Sequence, residues 1–104
     1  MKTDEYLEMH KAITDQMHEI TKAKNADYTG KGADPFANFR AVNVAGISTA
    51  QGFFTRIADK YMRLAGFVKN QTLEVKDESV EDTLLDMANY CILMVCEMRD
   101  RKDD

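Results

Sequence analysis

Three carboxylates and an amide recur at helical spacing late in the chain: Glu78, Asp82, Asp86 and Asn89. At about 100° per residue they fall within about 80° of one another. The same arc continues through Leu93 and Cys96, where a solvated charge face would go on with Lys, Glu or Gln. The acids therefore share a face with residues expected to be buried, which aims them into a cleft. On an open surface, like charges four residues apart cost about 0.2–0.5 kcal/mol per pair. Beside low-dielectric packing the repulsion grows, and desolvation adds to it. Carboxylates held there need a cation, and hard oxygen donors beside an amide suit Mg²⁺ or Mn²⁺. The plainer alternative is an acidic helix start favoured by the macrodipole. That accounts for Glu78 and Asp82 but not for Asp86, which lies in the third turn.

A second set is Arg56, Asp59, Lys60 and Arg63, at i, i+3, i+4 and i+7 on one helix face. One reading is a solvated ladder of ion pairs. The other places Asp59 opposite the acids as a further metal ligand, with Lys60 and the arginines on phosphate oxygens. A third set lies in a stretch without periodicity, about Asn25 to Ser48, punctuated by Gly30, Gly32, Pro35 and Gly46. A loop this long, carrying Asp27, Tyr28, Phe36, Asn38 and Phe39, suggests binding. Phe36 and Phe39 could equally plug the end of a helical bundle. His10 and His18 have no Cys or second His at ligand spacing, so they read as flank and surface positions rather than zinc ligands.

Helices must position these sets. The first is predicted from about Asp4 to Lys24, capped by Thr3 or Asp4, with Tyr6, Met9, Ile13, Met17 and Ile20 as its buried stripe. A short helix over about Pro35 to Val42 interrupts the loop. Ser48-Thr49-Ala50-Gln51 is a capping box opening a helix to about Lys69. Its apolar face is Phe54, Ile57, Ala58, Tyr61, Leu64, Ala65 and Val68. Thr72 to Lys76 links it to the last helix, which runs from about Asp77 to Arg101. Val80, Leu84, Met87, Cys91, Met94 and Met98 form the stripe of that helix. The expected fold is all-α, three main helices plus a short one, in one domain over residues 1–104 with a frayed tail at 100–104.

At 104 residues and net charge −4, the chain supports one small core and no electrostatic binding of nucleic acid. No apolar run reaches membrane-spanning length, and Met-Lys-Thr-Asp-Glu-Tyr has no signal-peptide layout. A cytoplasmic location is expected. Cys91 and Cys96 lie about 140° apart on one helix and read as small buried hydrophobes. Three helices of this length bury little by themselves, and the last is apolar over more than half its circumference. A homodimer or homotetramer completing a four-helix bundle is therefore expected.

Four blocks carry a resemblance: Lys24-Asn25-Ala26-Asp27-Tyr28, Asp34-Pro35-Phe36-Ala37-Asn38-Phe39, Arg56-Ile57-Ala58-Asp59-Lys60, and the run from Asp77 to Tyr90. Together they resemble the family called nucleotide modification associated domain 1, whose members are common in phages. That family is similar to the all-α nucleoside triphosphate pyrophosphatases, the MazG-like and dimeric dUTPase superfamily. The superfamily holds Mg²⁺ with a Glu-Glu-x-x-Glu set on one helix and a Glu-x-x-Asp pair, followed by an Asn, on the next. Asp82 and Asn89 suit the second half. The Glu of the pair falls on Ser79, with Glu78 adjacent, and the first half is reduced to Asp59.

The resemblance implies metal-assisted hydrolysis of a nucleoside triphosphate, a dNTP or modified dNTP, to monophosphate and pyrophosphate. Asp59, Glu78, Asp82 and Asp86 would hold Mg²⁺ or Mn²⁺, and Glu78 would serve as general base. Lys24, Arg56, Lys60 and Arg63 would neutralise the phosphates. Asp27, Tyr28, Asn38 and Phe39 would contact base or sugar, and Asn89 would orient a ligand or reach the sugar. The alternative is a module that binds a nucleotide or cyclic-nucleotide signal without turnover, or that accompanies a DNA-modification enzyme. The partner in either case is a small nucleotide, in a bacterial or phage-infected cell.

Overall fold

Ser48 begins the first long helix of the packed region through the expected capping box. Its Oγ accepts from the Gln51 backbone N–H at 3.1 Å, and the Gln51 Oε1 accepts from the Ser48 N–H at 2.8 Å. Two backbone donors that a helix start leaves without partners are satisfied in this way. The computed structural model describes residues 1–29, 34–70 and 78–102, with backbone alone at 26–29, 78–79 and 102. Every regular element among them is helical. α1 spans Thr3–Thr29, α2 Ala37–Arg40, α3 Thr49–Lys69 and α4 Glu78–Lys102, with a 3₁₀ turn over Ala41–Ala45 between α2 and α3. None of these helices is long and apolar enough to cross a membrane.

The chain divides into two compact units, Met1–Pro35 and Phe36–Asp104. In the first, α1 starts at Thr3, so Thr3 and Asp4 stand inside the first turn rather than at the cap. The helix also runs five residues past the expected end at Lys24. Ile20 to Thr29 contains no Gly or Pro, and Ala23, Lys24 and Ala26 favour helix. Asp27 and Tyr28 thus stand on helical backbone rather than in a loop. The expected stripe is not buried: Tyr6, Met9 and Ile20 are exposed, while Ile13 and Met17 are half-buried. His10 lies edge-on to Tyr6, and both histidines are exposed, as expected of flank positions. Lys11 holds Asp15 at 2.7 Å one turn on, and that bond raises the Lys11 ammonium above its ordinary value.

The second unit opens at Phe36, in the turn after Pro35 that leads into α2, as the Asp34-Pro35 step predicts. α2 and the 3₁₀ turn lie on the start of α3 because Gly52 has no side chain there. A Cβ at Gly52 would stand 3.1 Å from Val42 Cγ2 and 3.6 Å from the Phe39 carbonyl oxygen. Gly46 ends the 3₁₀ turn at φ 78°, in the left-handed region that favours glycine. Asn43 then ties the turn forward. Its Nδ2 donates to the Ile47 carbonyl at 2.9 Å, and its Oδ1 accepts from Thr49 at 3.4 Å.

α3 and α4 pack antiparallel, with Lys60 opposite Asp86 and with Phe53 and Tyr90 meeting on either side of Phe39. Phe53 is fully buried, and Phe39 stacks on it at 4.1 Å with the rings 10° from parallel. Tyr90 meets Phe39 edge-on at 6.3 Å. Such aromatic pairs contribute about 0.5–1.5 kcal/mol beyond the area they bury.

The inner rows differ from the expected stripes. On α3 the packed positions are Thr49, Phe53, Ile57, Lys60, Leu64 and Phe67; on α4 they are Val80, Thr83, Met87, Tyr90, Met94 and Glu97. Phe54, Tyr61, Val68, Leu84, Cys91 and Met98 are exposed instead, and Cys96 is exposed with them. Both cysteines, expected to be buried, stand at the surface as free thiols. The apolar surface of each helix is two rows wide, and the row that contacts its neighbour carries fewer apolar residues than the row beside it.

Candidate functional site

Arg56, Asp59, Lys60, Arg63 and Tyr90 line one open pocket of about 420 Å³. The first four project from successive turns of α3, and Tyr90 reaches in from α4. The i, i+3, i+4, i+7 set of the sequence thus comes together on one concave surface. Three cations face a single carboxylate in the lining, although the whole chain carries −4. Arg56 and Arg63 form no ion pair with a described residue. The Arg56 guanidinium sits 5.9 Å above the Phe39 ring, near the limit of a useful cation–π contact.

Lys60 is the α3 residue that meets the acid arc, in place of the expected Asp59. Its Nζ lies 3.2 Å from Asp86 Oδ2, with the lysine side chain 18% exposed and the aspartate 44%. Asp82 is exposed, and Asn89 and Leu93 are half-buried. The arc therefore straddles the rim of the helix contact instead of lying wholly inside a cleft. Glu78, the proposed base and metal ligand, has a side chain outside the described residues. Among the described residues, no three His, Cys, Asp or Glu side chains gather closely enough to hold a metal ion. Asp59, Asp82 and Asp86 do not make such a group by themselves.

Phe39 is set into the aromatic core by Phe53 and Tyr90, so its ring serves as packing, while the neighbouring Asn38 is exposed on α2. Lys24 is exposed on α1, in the first unit. The side chains of Asp27 and Tyr28 lie outside the described residues.

Two features of this region were not legible as such. Tyr90 lines the pocket, and a Tyr one residue past Asn89 on a mixed helix face gives no sign of that. Glu97 is the other: it is 1% exposed, at the end of α4 nearest α2. Arg101 Nε lies 2.7 Å and Arg40 Nε 4.0 Å from its Oε1, yet that oxygen accepts no well-aligned hydrogen bond among the described residues. Arg40 also donates to Asp100 at 2.7 Å and lies over the Phe36 ring at 5.2 Å. This cluster fastens α2, and with it Phe39 and Asn38, to the end of α4. A periodicity reading sees Glu97 as one charged residue among methionines. It lies against Arg101, one turn on, and against an arginine 57 positions earlier.

The chain matches no protein-family model, no curated protein and no solved structure.

Proposed function

We propose that this protein binds a nucleoside phosphate in the pocket on α3, with Arg56, Lys60 and Arg63 on the phosphate oxygens and Tyr90 beside the sugar or base. The observation that carries this reading is the convergence of three cationic side chains with one aromatic ring on a concave surface of an otherwise acidic chain. Guanidinium and ammonium groups pair with phosphate through charge-assisted bonds, and a concave wall focuses their field. In this reading the exposed Asn38 of α2 and Asn89, next to Tyr90 on α4, are the polar groups assigned to sugar or base. The resemblance to the nucleotide modification associated family supports a nucleotide over a bare anion.

A second reading, Mg²⁺-dependent hydrolysis to monophosphate and pyrophosphate, is favoured by Asp59 in the pocket wall and Asp86 beside Lys60. It requires Glu78 and Asp82 to join them. Asp86→Asn separates the two readings. Binding without turnover gains affinity when Lys60 is released from Asp86. Hydrolysis loses its metal-dependent pyrophosphate release. The deciding experiment measures thermal stabilisation and pyrophosphate release over a panel of ordinary and modified dNTPs and NTPs, with Mg²⁺, Mn²⁺ or EDTA. Stabilisation that survives EDTA, without release, is expected. Neither stabilisation nor release from any nucleotide would remove both readings.

A further inference from the structure

The pocket on α3 holds one group that a site for phosphate alone would not carry. Asp59 lines it together with Arg56, Lys60 and Arg63, three residues after the first arginine and four before the second. Those spacings make either arginine a neighbour of Asp59 on the helix surface. Asp59 nevertheless forms no ion pair with a described residue, and Lys60, next in sequence, turns to Asp86 across the helix contact. The carboxylate is exposed in the pocket wall, with its oxygens open to a ligand.

An ionised carboxylate accepts hydrogen bonds and donates none, and phosphate oxygens at neutral pH are acceptors as well. The two groups repel, and more strongly in a partly enclosed pocket than in bulk water. A bound ligand must therefore set against Asp59 a part that donates. Lysine and arginine carry their charges at the ends of long stems, whereas the aspartate carboxylate stays close to the helix. Phosphates held at the cationic ends leave Asp59 to whatever lies nearer the helix. Along α3 the rise is about 4.5 Å from Arg56 to Asp59 and about 6 Å from Asp59 to Arg63. Asp59 thus stands near the middle of the cation row, and Tyr90 faces that row from α4. A nucleoside whose phosphates lie on the cations brings its sugar or base to the ring and the carboxylate. Both carboxylate oxygens can accept at once, so two donors on neighbouring atoms fit best. Nucleotides offer such a pair in two places: the 2′- and 3′-hydroxyls of ribose, and the N1–H and N2–H of guanine.

We propose that Asp59 is the specificity-determining residue of this pocket, accepting hydrogen bonds from a neighbouring donor pair of the ligand. The inference rests on the nucleoside-phosphate reading of the pocket. It needs no cation, which separates it from a metal-ligand role for Asp59. A site that hydrogen-bonds a ligand group rejects the analogue lacking it, because its own polar group is then left without a partner.

Isothermal calorimetry on the full-length protein in EDTA, with the four NTPs, the four dNTPs, ITP and dITP, tests this. If ribose supplies the donors, each NTP should bind about 10-fold or more tightly than its deoxy counterpart. If guanine supplies them, GTP and dGTP should exceed ITP and dITP by a similar factor. Asp59→Asn should cut the preference to about 3-fold or less, while inorganic triphosphate binds more tightly than to the wild type because the repulsion is gone. Opposite shifts of this kind distinguish recognition from a structural role, in which every ligand weakens together. Asp59 is exposed, so the variant should fold, and the wild-type series decides by itself if it does not. Nucleotides that bind the wild type with neither preference overturn the proposal and leave the pocket reading intact. A preference unchanged in Asp59→Asn, or a uniform loss that includes inorganic triphosphate, also overturns it. Failure of every nucleotide to bind overturns the pocket reading as well.

Discussion

Lys60 is the residue on which the two halves of the second unit meet chemically. Its ammonium is shared between Asp86 and the pocket, so any phosphate that enters competes with that carboxylate. Partly exposed pairs of this kind contribute about 0.2–1 kcal/mol, so Asp86→Asn should tighten nucleotide binding by up to about 5-fold under the binding reading. Isothermal calorimetry at fixed ionic strength would measure it. Arg63 pairs with no described carboxylate, so its full charge is available to the ligand. Arg63→Ala removes a charge-assisted contact of about 1.5–3 kcal/mol and should weaken binding by about 10- to 100-fold. An unchanged affinity would take Arg63 out of the site. The thiols also belong at this scale. Their types suggested small buried hydrophobes, yet the packing turns both to the surface.

At the scale of elements, the cap, the glycine and the latch each fix where Phe39 and the pocket stand. Loss of the Ser48 cap in Ser48→Ala should lower stability by about 1 kcal/mol, seen as a lower urea midpoint with an unchanged slope. Gly52 is the point where the Phe39–Val42 segment touches α3. A side chain there must displace Val42 Cγ2, so Gly52→Leu should destabilise by about 1–3 kcal/mol. It should also weaken nucleotide binding by moving Phe39 from beneath Arg56. Glu97 differs from these two because it is a buried charge. Glu97→Ala leaves Arg40 and Arg101 facing a void and should cost about 2 kcal/mol, less than for a fully buried pair because both arginines reach solvent. Glu97→Met refills the volume without the charge and should come within about 1 kcal/mol of the wild type. Equal losses in the two variants would mean that the charge, and not the packing, holds α2.

At the scale of the molecule, the small core is the governing fact. Phe53 and Val80 are the buried hydrophobic residues described for a chain that is 44% hydrophobic by composition. Much of that apolar content stands exposed on α3 and α4, at Phe54, Tyr61, Val68, Leu84, Val95 and Met98. The pocket carries local positive charge on an acidic protein. Nucleotide affinity should therefore fall with added salt, as expected for partly exposed charges within a Debye length of about 10 Å at 0.1 M.

How much of this was legible in the sequence varies with the range of the interaction that decided it. The all-helical class, the Ser48–Gln51 box, the end of α3 at Lys69 and the breadth of the apolar face on α4 depend on residues within one or two turns of each other. Local spacing determines such features, and the Arg56–Arg63 set came together on one surface because four side chains at i, i+3, i+4 and i+7 share a helix face in any surroundings. The sequence could not choose between two adjacent apolar rows on α3 and α4, because helical periodicity measures how wide a face is and not which neighbour will cover it. The burial of Glu97 under Arg40, the seating of Phe39 between Phe53 and Tyr90, and the meeting of Lys60 with Asp86 were decided by tertiary structure. Each joins residues 14 to 57 positions apart, and at that distance the packing of whole helices, rather than the pattern along any one of them, sets which side chains touch.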